Sequence, residues 1–278
     1  MSFGFHAGLQ GGLRETIQCH LDNGCNCIQT SIVGKGRFDT EDILTTRDLL
    51  SDSGFRLYTH TCVALNPAAP VPAVLGAIVS LREELRTVNA IGATAVLHIG
   101  GQKTGATYDG TLENVFTTLK SLPLARRDNG QRWPLLLENA AGEGRKLGST
   151  LNELDFLARG LEVQGINAGF CIDTAHAYGA GVFDFSTVEA IDETFEQLDE
   201  TLGKDRLQLI HLNDSKIAFG GRADRHENIG HGYIWSDDLE PCAYLLRVCK
   251  TRGIDVVLET PATHMVADYQ WGCKVRNG

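Results

Sequence analysis

Short apolar runs recur at fairly even intervals along the chain, and each is followed by a stretch with the periodicity of an amphipathic helix. The runs are apolar enough to be covered on both faces, which is typical of strands in a parallel sheet. The pattern therefore predicts eight strands, at residues 3–6, 27–30, 57–61, 95–98, 135–138, 169–173, 207–211 and 256–259.

Repetition of strand and helix eight times in 278 residues predicts an α/β fold, a (β/α)8 TIM barrel that forms one catalytic domain over residues 1–278. A doubly wound sheet would instead require a G-x-G-x-x-G turn after the first strand. Gly8, Gly11 and Gly12 do not have that spacing. The clearest helix candidates, several with a Ser, Thr or Asp cap, are 71–91, 111–119, 150–159, 187–202 and 238–252.

Composition narrows the class of protein. No apolar run approaches the ~20 residues that span a bilayer, and the first residues lack the basic and apolar segments of a secretory signal. We therefore expect a soluble, intracellular protein of the cytoplasm or nucleus. We also expect a monomer. The eight cysteines form no C-x-x-C pair, which argues against a zinc ribbon or a thioredoxin-type motif. A chain of this length does not need a metal merely to fold, so any metal would serve chemistry.

Metal-binding residue types end most of the predicted strands. In a TIM barrel the active site is built at the carboxyl ends of the strands, so these side chains would converge. A carboxylate inside an apolar run such as LLLEN or VVLET must be paired, protonated or coordinated, because burying a lone charge is costly. The strand-end residues are His6, His60, His98, Glu138, Asp173, His211 and Glu259.

Two local clusters add further ligand candidates. His176 follows Asp173 in the turn after its strand, and Asp224 and His226 lie two residues apart in a later connection. Imidazoles with carboxylates and no thiolate suit zinc, manganese or iron rather than calcium. Without His6 these groups number nine, and they could hold three ions if one carboxylate bridges.

Four segments carry a resemblance to the endonuclease IV family, the zinc-dependent apurinic/apyrimidinic endonucleases. The resemblance covers nearly the whole chain and implies a barrel with three zinc ions, one of which could be replaced by Mn2+ or Fe2+. It also implies hydrolysis of double-stranded DNA 5′ to abasic sites, leaving a 3′-hydroxyl in base excision repair. The segments are LENAAGEG at 137–144, CIDTAHAYGAG at 171–181, HLNDSKIAFGGRADRHENIGHG at 211–232 and LET at 258–260.

The resemblance also assigns the ligands. Our own hypothesis for the mechanism is that Glu138 is the catalytic residue and orients the attacking hydroxide. We interpret His6 as a residue that orients a ligand without binding metal. By the same resemblance His60, His98 and Glu138 hold one zinc, Glu138, Asp173, His211 and Glu259 hold the second, and His176, Asp224 and His226 hold the third.

The formal charge of −10 argues against a nucleic-acid partner, because DNA is bound largely by neutralising phosphates. Three zinc ions would weaken that objection by placing positive charge where a phosphate must sit. Where the family has a minor-groove tyrosine, three residues after the first zinc histidine, this chain has Val63. Phe38 and its basic neighbours could replace that wedge. The predicted DNA-binding residues are Lys35, Arg37, Asn139, Asn213, Lys216, Arg222 and Arg225.

Two other functions stay open at this point. Metal-dependent sugar isomerases use a similar barrel, but their sites are richer in carboxylates and usually hold two ions. A non-catalytic lesion-binding metalloprotein would carry the same ligands without turnover. The histidine content and the Asp224-x-His226 segment favour the nuclease.

Overall fold

The eight predicted strands close into a barrel in which every neighbouring pair is parallel. This computed structural model describes residues 1–9, 11–32, 38–125 and 132–278. The barrel strands are β1 (Phe3–His6), β2 (Cys27–Thr30), β3 (Arg56–His60), β4 (Thr94–His98), β5 (Leu135–Glu138), β6 (Gly169–Asp173), β7 (Leu207–His211) and β10 (Asp255–Leu258). Around the barrel they follow the order β1, β10, β7, β6, β5, β4, β3, β2, which confirms the predicted TIM barrel.

Helices follow the barrel strands, and all five helix candidates are confirmed with bounds that shift by a few residues. The candidate at 111–119 begins earlier because Thr107 caps the helix by accepting a hydrogen bond from the Gly110 amide. Within the described ranges, no helix is both long enough and apolar enough to cross a bilayer. The helices are α1 (Leu13–Asp22), α2 (Thr40–Ser53), α3 (Ala73–Ile91), α4 (Tyr108–Ser121), α5 (Leu151–Val163), α6 (Thr174–Ala180), α7 (Val188–Leu202), α8 (Glu240–Arg252) and α9 (Met265–Asn277).

One pair of short strands lies outside the barrel and was not predicted. β8 (Asp214–Ser215) and β9 (His226–Glu227) pair antiparallel in the connection after β7. Asp214 stabilises this connection, because its buried carboxylate accepts hydrogen bonds from the amides of Gly230, Gly232 and Ile234. The pairing therefore gives His226 a fixed place on regular backbone.

A layer of buried, mostly apolar side chains fills the barrel between its two ends. Two of its members are cysteines, which act here as buried apolar residues. The layer separates the carboxyl-terminal mouth of the barrel from its amino-terminal end. It consists of Cys27, Tyr58, Val96, Leu136, Cys171, Leu209 and Val257.

The amino-terminal end contains a buried ion pair. Arg132 Nη2 lies 2.9 Å from Oδ2 of the fully buried Asp255. The Tyr58 hydroxyl donates to the same oxygen at 2.8 Å, and the Ser2 amide donates to Asp255 Oδ1 at 2.6 Å. Because a buried carboxylate must be paired to be tolerated, this network ties the chain's first residues to the barrel.

Candidate metal centre

The strand-end residues converge at the carboxyl-terminal mouth of the barrel. Register brings them together: His98 on β4 is opposite Glu138 on β5, and Asp173 on β6 is opposite His211 on β7. Five of the seven strand-end residues border a cavity of about 550 Å³. A larger concavity of about 820 Å³ lies at the other end of the barrel and contains none of these residues. The chemistry therefore belongs to the smaller, carboxyl-terminal cavity. Its lining includes His6, His60, His98, Glu138, His176, Asp224, His226 and Glu259.

Glu138 lies at the centre of the first ligand group. Its side chain is buried, with Oε2 3.1 Å from His60 Nε2 and 3.4 Å from His98 Nδ1. Burial would raise the pKa of Glu138, but the attraction of His98 and His211 holds this pKa well below its usual value. The centre therefore contains an ionised carboxylate surrounded by imidazoles.

A second group shares Glu138 with the first. Glu138 Oε1 is 3.0 Å from His211 Nδ1, and that nitrogen is 3.1 Å from Glu259 Oε2 and 4.0 Å from Asp173 Oδ2. Burial would also raise the pKa of Glu259, yet His211 holds it well below its ordinary value. One potential ligand atom from each of Glu138, Asp173, His211 and Glu259 lies within 4.8 Å of the others.

The third group joins α6 to β9. Asp224 Oδ1 is 3.2 Å from His176 Nε2 and 3.4 Å from His226 Nε2. Asp173 also reaches this group, with Oδ2 3.4 Å from His226 Nε2. Both histidine nitrogens are buried, and neither has a hydrogen-bond partner among the described residues. Buried nitrogens of this kind fit a metal ligand, because buried polar atoms in proteins are normally satisfied.

Protons and a metal would compete for the third group. Burial opposes protonation of His176, but the charges of Asp173, Asp224 and Glu138 raise its pKa to about 10. Without a cation the clustered carboxylates hold a proton on this ring, and a metal ligand must be the neutral imidazole. A dication therefore suits the same position.

Fixed acceptors orient four of the five clustered histidines. Each ring donates from one nitrogen to an oxygen that can only accept, which directs its other nitrogen towards the acids, as is usual for metal-binding histidines. Nδ1 donates in three rings, from His60 to Thr61 O (2.9 Å), from His176 to Asn139 O (3.0 Å) and from His226 to Glu259 O (3.3 Å); in the fourth, His211 Nε2 donates to Gln29 Oε1 (2.9 Å).

Gln29 on β2 is a site residue that the sequence analysis missed. It is fully buried, and its Nε2 donates to Glu259 Oε1 at 2.5 Å. His6 lies beside this pair, with Nδ1 3.1 Å from Gln29 Nε2 and 3.5 Å from Glu259 Oε1. A signal was present, since an amide within the apolar run CIQT needs a buried partner.

Asn139 and Asn213, two of the predicted DNA-binding residues, are buried behind the ligand candidates. Asn139 exchanges hydrogen bonds with the backbone of Asp173, at 2.7 and 3.2 Å. Asn213 Nδ2 donates to Asp173 Oδ2 at 2.7 Å, and its Oδ1 accepts from the Glu259 amide at 2.8 Å. Both side chains are buried, and their amides orient Asp173 and Glu259. Contact of these two residues with DNA stays a prediction.

The other DNA-binding candidates are divided between the rim and the undescribed part of the chain. Lys216, Arg222 and Arg225 are exposed on the connection that carries β8 and β9. Lys216 Nζ lies 3.6 Å from Glu227 Oε2. Lys35 and Arg37 lie outside the described residues. Val63, at the position of the family's tyrosine, is 70% exposed and borders the central cavity.

Comparisons with known proteins identify the family to which the chain belongs. The family model described as "Xylose isomerase-like TIM barrel" matches residues 21–275. The chain is 31% identical over 266 residues to a probable endonuclease 4 from Haloarcula marismortui, covering 93% of this chain and 91% of that one. These matches extend over nearly the whole barrel.

Two solved structures share the fold. Endonuclease IV from Thermus thermophilus superposes with a TM-score of 0.79 at 24% identity, covering 100% of this chain and 98% of that one. A D-tagatose 3-epimerase-like protein superposes with a TM-score of 0.68 at 20% identity, with the same coverage.

Fold and family model together define this protein as a xylose isomerase-like TIM barrel. Within that class the chain belongs to the endonuclease IV family.

Proposed function

We propose that this protein is a zinc-dependent endonuclease that hydrolyses double-stranded DNA 5′ to abasic sites and leaves a 3′-hydroxyl. The observation that carries the proposal is the convergence of nine imidazole and carboxylate groups into three adjoining ligand groups at one mouth of the barrel. Family membership supports a DNA substrate. Such a substrate would require an intracellular location, in the cytoplasm or the nucleus.

The donor set fits three zinc ions. Its ligands are imidazole nitrogens and carboxylate oxygens, and two of the nitrogens are buried without a hydrogen bond. When bound, the ions would supply Lewis acidity that polarises the phosphate and lowers the pKa of water. We assign His60, His98 and Glu138 to the first ion, Glu138, Asp173, His211 and Glu259 to the second, and His176, Asp224 and His226 to the third.

The protein's own residues then prepare the reaction. Glu138 holds an ionised carboxylate in a buried place, so its oxygens can accept a hydrogen bond from the attacking water and orient it. Gln29 and Asn213 keep Glu259 and Asp173 in position by donating to their carboxylates. This arrangement needs little reorganisation when a phosphate enters.

Selectivity would come from the lesion itself. An abasic nucleotide has lost its stacking and pairing, so turning it out of the helix requires little free energy. The cavity of about 550 Å³ at the barrel mouth offers room for the sugar and its phosphate. Since Val63 replaces the usual wedge, local deformability of the lesion would matter more here than insertion of an aromatic ring.

Metal content and incision, measured on one purified sample, test the proposal. We expect about three zinc ions per chain and cleavage of a duplex on the 5′ side of a single tetrahydrofuran lesion. Replacing Glu138→Gln should lower the single-turnover rate by at least ~100-fold, because the amide orients water poorly. Lys204→Ala, at the other end of the barrel, is the matched control.

Three outcomes would contradict the proposal. At most one bound transition metal would exclude the trinuclear centre. Lesion binding without cleavage would favour a lesion-binding metalloprotein. Epimerisation of a ketohexose by the same sample, with no incision, would favour the sugar isomerase alternative that shares this fold.

A further inference from the structure

A groove of about 650 Å³ continues from the metal centre across the neighbouring loops. Val63, His98 and Asp224 border both the central cavity and this groove. The remaining walls come from the connections after β3, β4 and β5. A chain that extends beyond the central cavity could therefore follow the groove without leaving the protein surface.

Hydrogen bonds lock these three connections into one unit, which we call the ledge (residues 64–66, 99–103 and 143–147). Asn66 Nδ2 donates to Gly101 O at 2.9 Å, and Asn66 Oδ1 accepts from the Gly101 amide at 3.0 Å. The Gln102 amide donates to Arg145 O at 3.0 Å, and the Leu147 amide donates to Gly100 O at 2.9 Å. The ledge is thus held largely by backbone groups rather than by mobile side chains.

Glycine is required at the junctions of the ledge. A Cβ on Gly100, where φ is +88°, would lie 2.2 Å from Asn66 Oδ1. A Cβ on Gly101 would lie 2.7 Å from the carbonyl oxygen of Arg145. The close approach of the three connections therefore depends on two residues without side chains.

The ledge carries cations that the rest of the described chain leaves unpaired. Lys146 pairs with Glu143, whereas Lys103 and Arg145 have no ion-pair partner among the described residues. Both are exposed and line the groove. In a protein of formal charge −10, two unpaired cations on rigid backbone beside the candidate centre favour an anionic ligand.

We propose that the ledge binds the sugar–phosphate backbone of the DNA strand beside the cleavage position, with Lys103 and Arg145 each contacting a phosphate. The inference rests on the proposed function. Preformed loops lose little conformational entropy on binding. The ledge would therefore add affinity for DNA and fix the position of the duplex without the entropic cost of ordering a loop. Phosphate contacts fix the position of the duplex, and the central cavity then selects the lesion.

Salt dependence of DNA binding tests this role. For Lys103→Ala and Arg145→Ala we expect the slope of log Kd against log salt, measured with an undamaged duplex that is not cut, to fall by about 1 each. In the double variant the slope should fall by about 2, whereas Arg145→Lys, which keeps the charge, should retain most of the wild-type slope. Single-turnover incision of the lesion duplex at subsaturating enzyme should fall in step with the weaker binding, whereas the zinc content should match the wild type, because neither residue belongs to the metal centre.

Arg56→Ala and Lys204→Ala are the matched controls, since each removes one exposed cation at the amino-terminal end of the barrel. A double ledge variant that keeps the wild-type slope, or controls that lower it equally, would overturn the ledge while leaving the incision activity intact. If the wild-type protein binds neither duplex, the proposed function and the ledge both fail.

Discussion

Gln29 shows how much one side chain can determine in this site. Its amide donates to Glu259 and accepts from His211, so it sets the direction of two ligand candidates from different strands. A buried amide that faces an acid and an imidazole is replaced poorly by an apolar residue, because both partners then lose a hydrogen bond.

Gln29→Leu should therefore weaken zinc binding while the barrel stays folded. Removing a group that orients metal ligands usually lowers metal affinity by roughly 10- to 100-fold, and the unsatisfied partners would lower the free energy of unfolding by about 1–3 kcal/mol. Competition with a chromophoric chelator measures the affinity. Gln18→Leu, on α1 and away from the centre, is the control, and equal zinc affinity in both variants would contradict the role of Gln29.

Lys103 and Arg145 illustrate what a sequence does not give at this scale. The sequence predicts the seven strand-end residues because each one ends an apolar run, and the strand fixes the direction of its side chain. The ledge cations are separated by some forty positions, and they line one groove because Gly101 forms an isolated antiparallel bridge with Lys146. Nothing in the local pattern around either cation indicates that pairing.

At the scale of elements, α3 buries a carboxyl group whose ionised form is unfavourable in an apolar environment. Glu84 lies on the buried face of the helix, and its Oε1 has no hydrogen-bond partner among the described residues. Burial raises the pKa of Glu84 to about 7, although His60 and the Cys62 amide act in the opposite direction. The helix is therefore more stable with this group protonated.

The pH dependence follows from that sign. The folded chain holds the proton more tightly than the unfolded chain, so the stabilisation is present at low pH and is lost as pH rises towards 7. Glu84→Gln should raise the free energy of unfolding of metal-stripped protein by up to about 3 kcal/mol at pH 8 and by much less at pH 5. Urea denaturation at both values measures this. The exposed Glu83→Gln serves as the control, and a pH-independent difference would contradict the assignment.

Elements were predicted unevenly, and the reason is physical. Barrel strands are continuous apolar runs, so all eight were located within a residue at each end. The β8–β9 pair was missed because two-residue strands have no periodicity, and their pairing depends on Asp214 binding distant amides. The local sequence is enough to predict the barrel strands. The long connection after β7 depends instead on hydrogen bonds between Asp214 and backbone amides 16 to 20 residues later.

The whole molecule separates stability from chemistry along the barrel axis. Asp255, Arg132 and Tyr58 form their network at the amino-terminal end, while the ligand candidates occupy the opposite mouth. In TIM barrels the carboxyl-terminal face serves catalysis and the other face serves the fold. The two ends should therefore respond independently to substitution.

Arg132→Met tests that independence. Leaving Asp255 buried without its cation should lower the free energy of unfolding by about 3–5 kcal/mol. Zinc content and the single-turnover incision rate, measured at a temperature where the variant stays folded, should match the wild type. Arg56→Met, which removes an exposed arginine from the same end, should change stability little. A variant that loses zinc while folded would show that the two ends are coupled.

Asp173 combines two tasks in one carboxylate. Oδ1 caps α6 by accepting from the His176 amide, and Oδ2 faces His211 and His226. A substitution at Asp173 would remove the N-cap hydrogen bond of that helix together with a candidate ligand of the proposed second ion. No substitution at position 173 can therefore remove the ligand candidate and leave the helix cap intact unless the new side chain also accepts a hydrogen bond there.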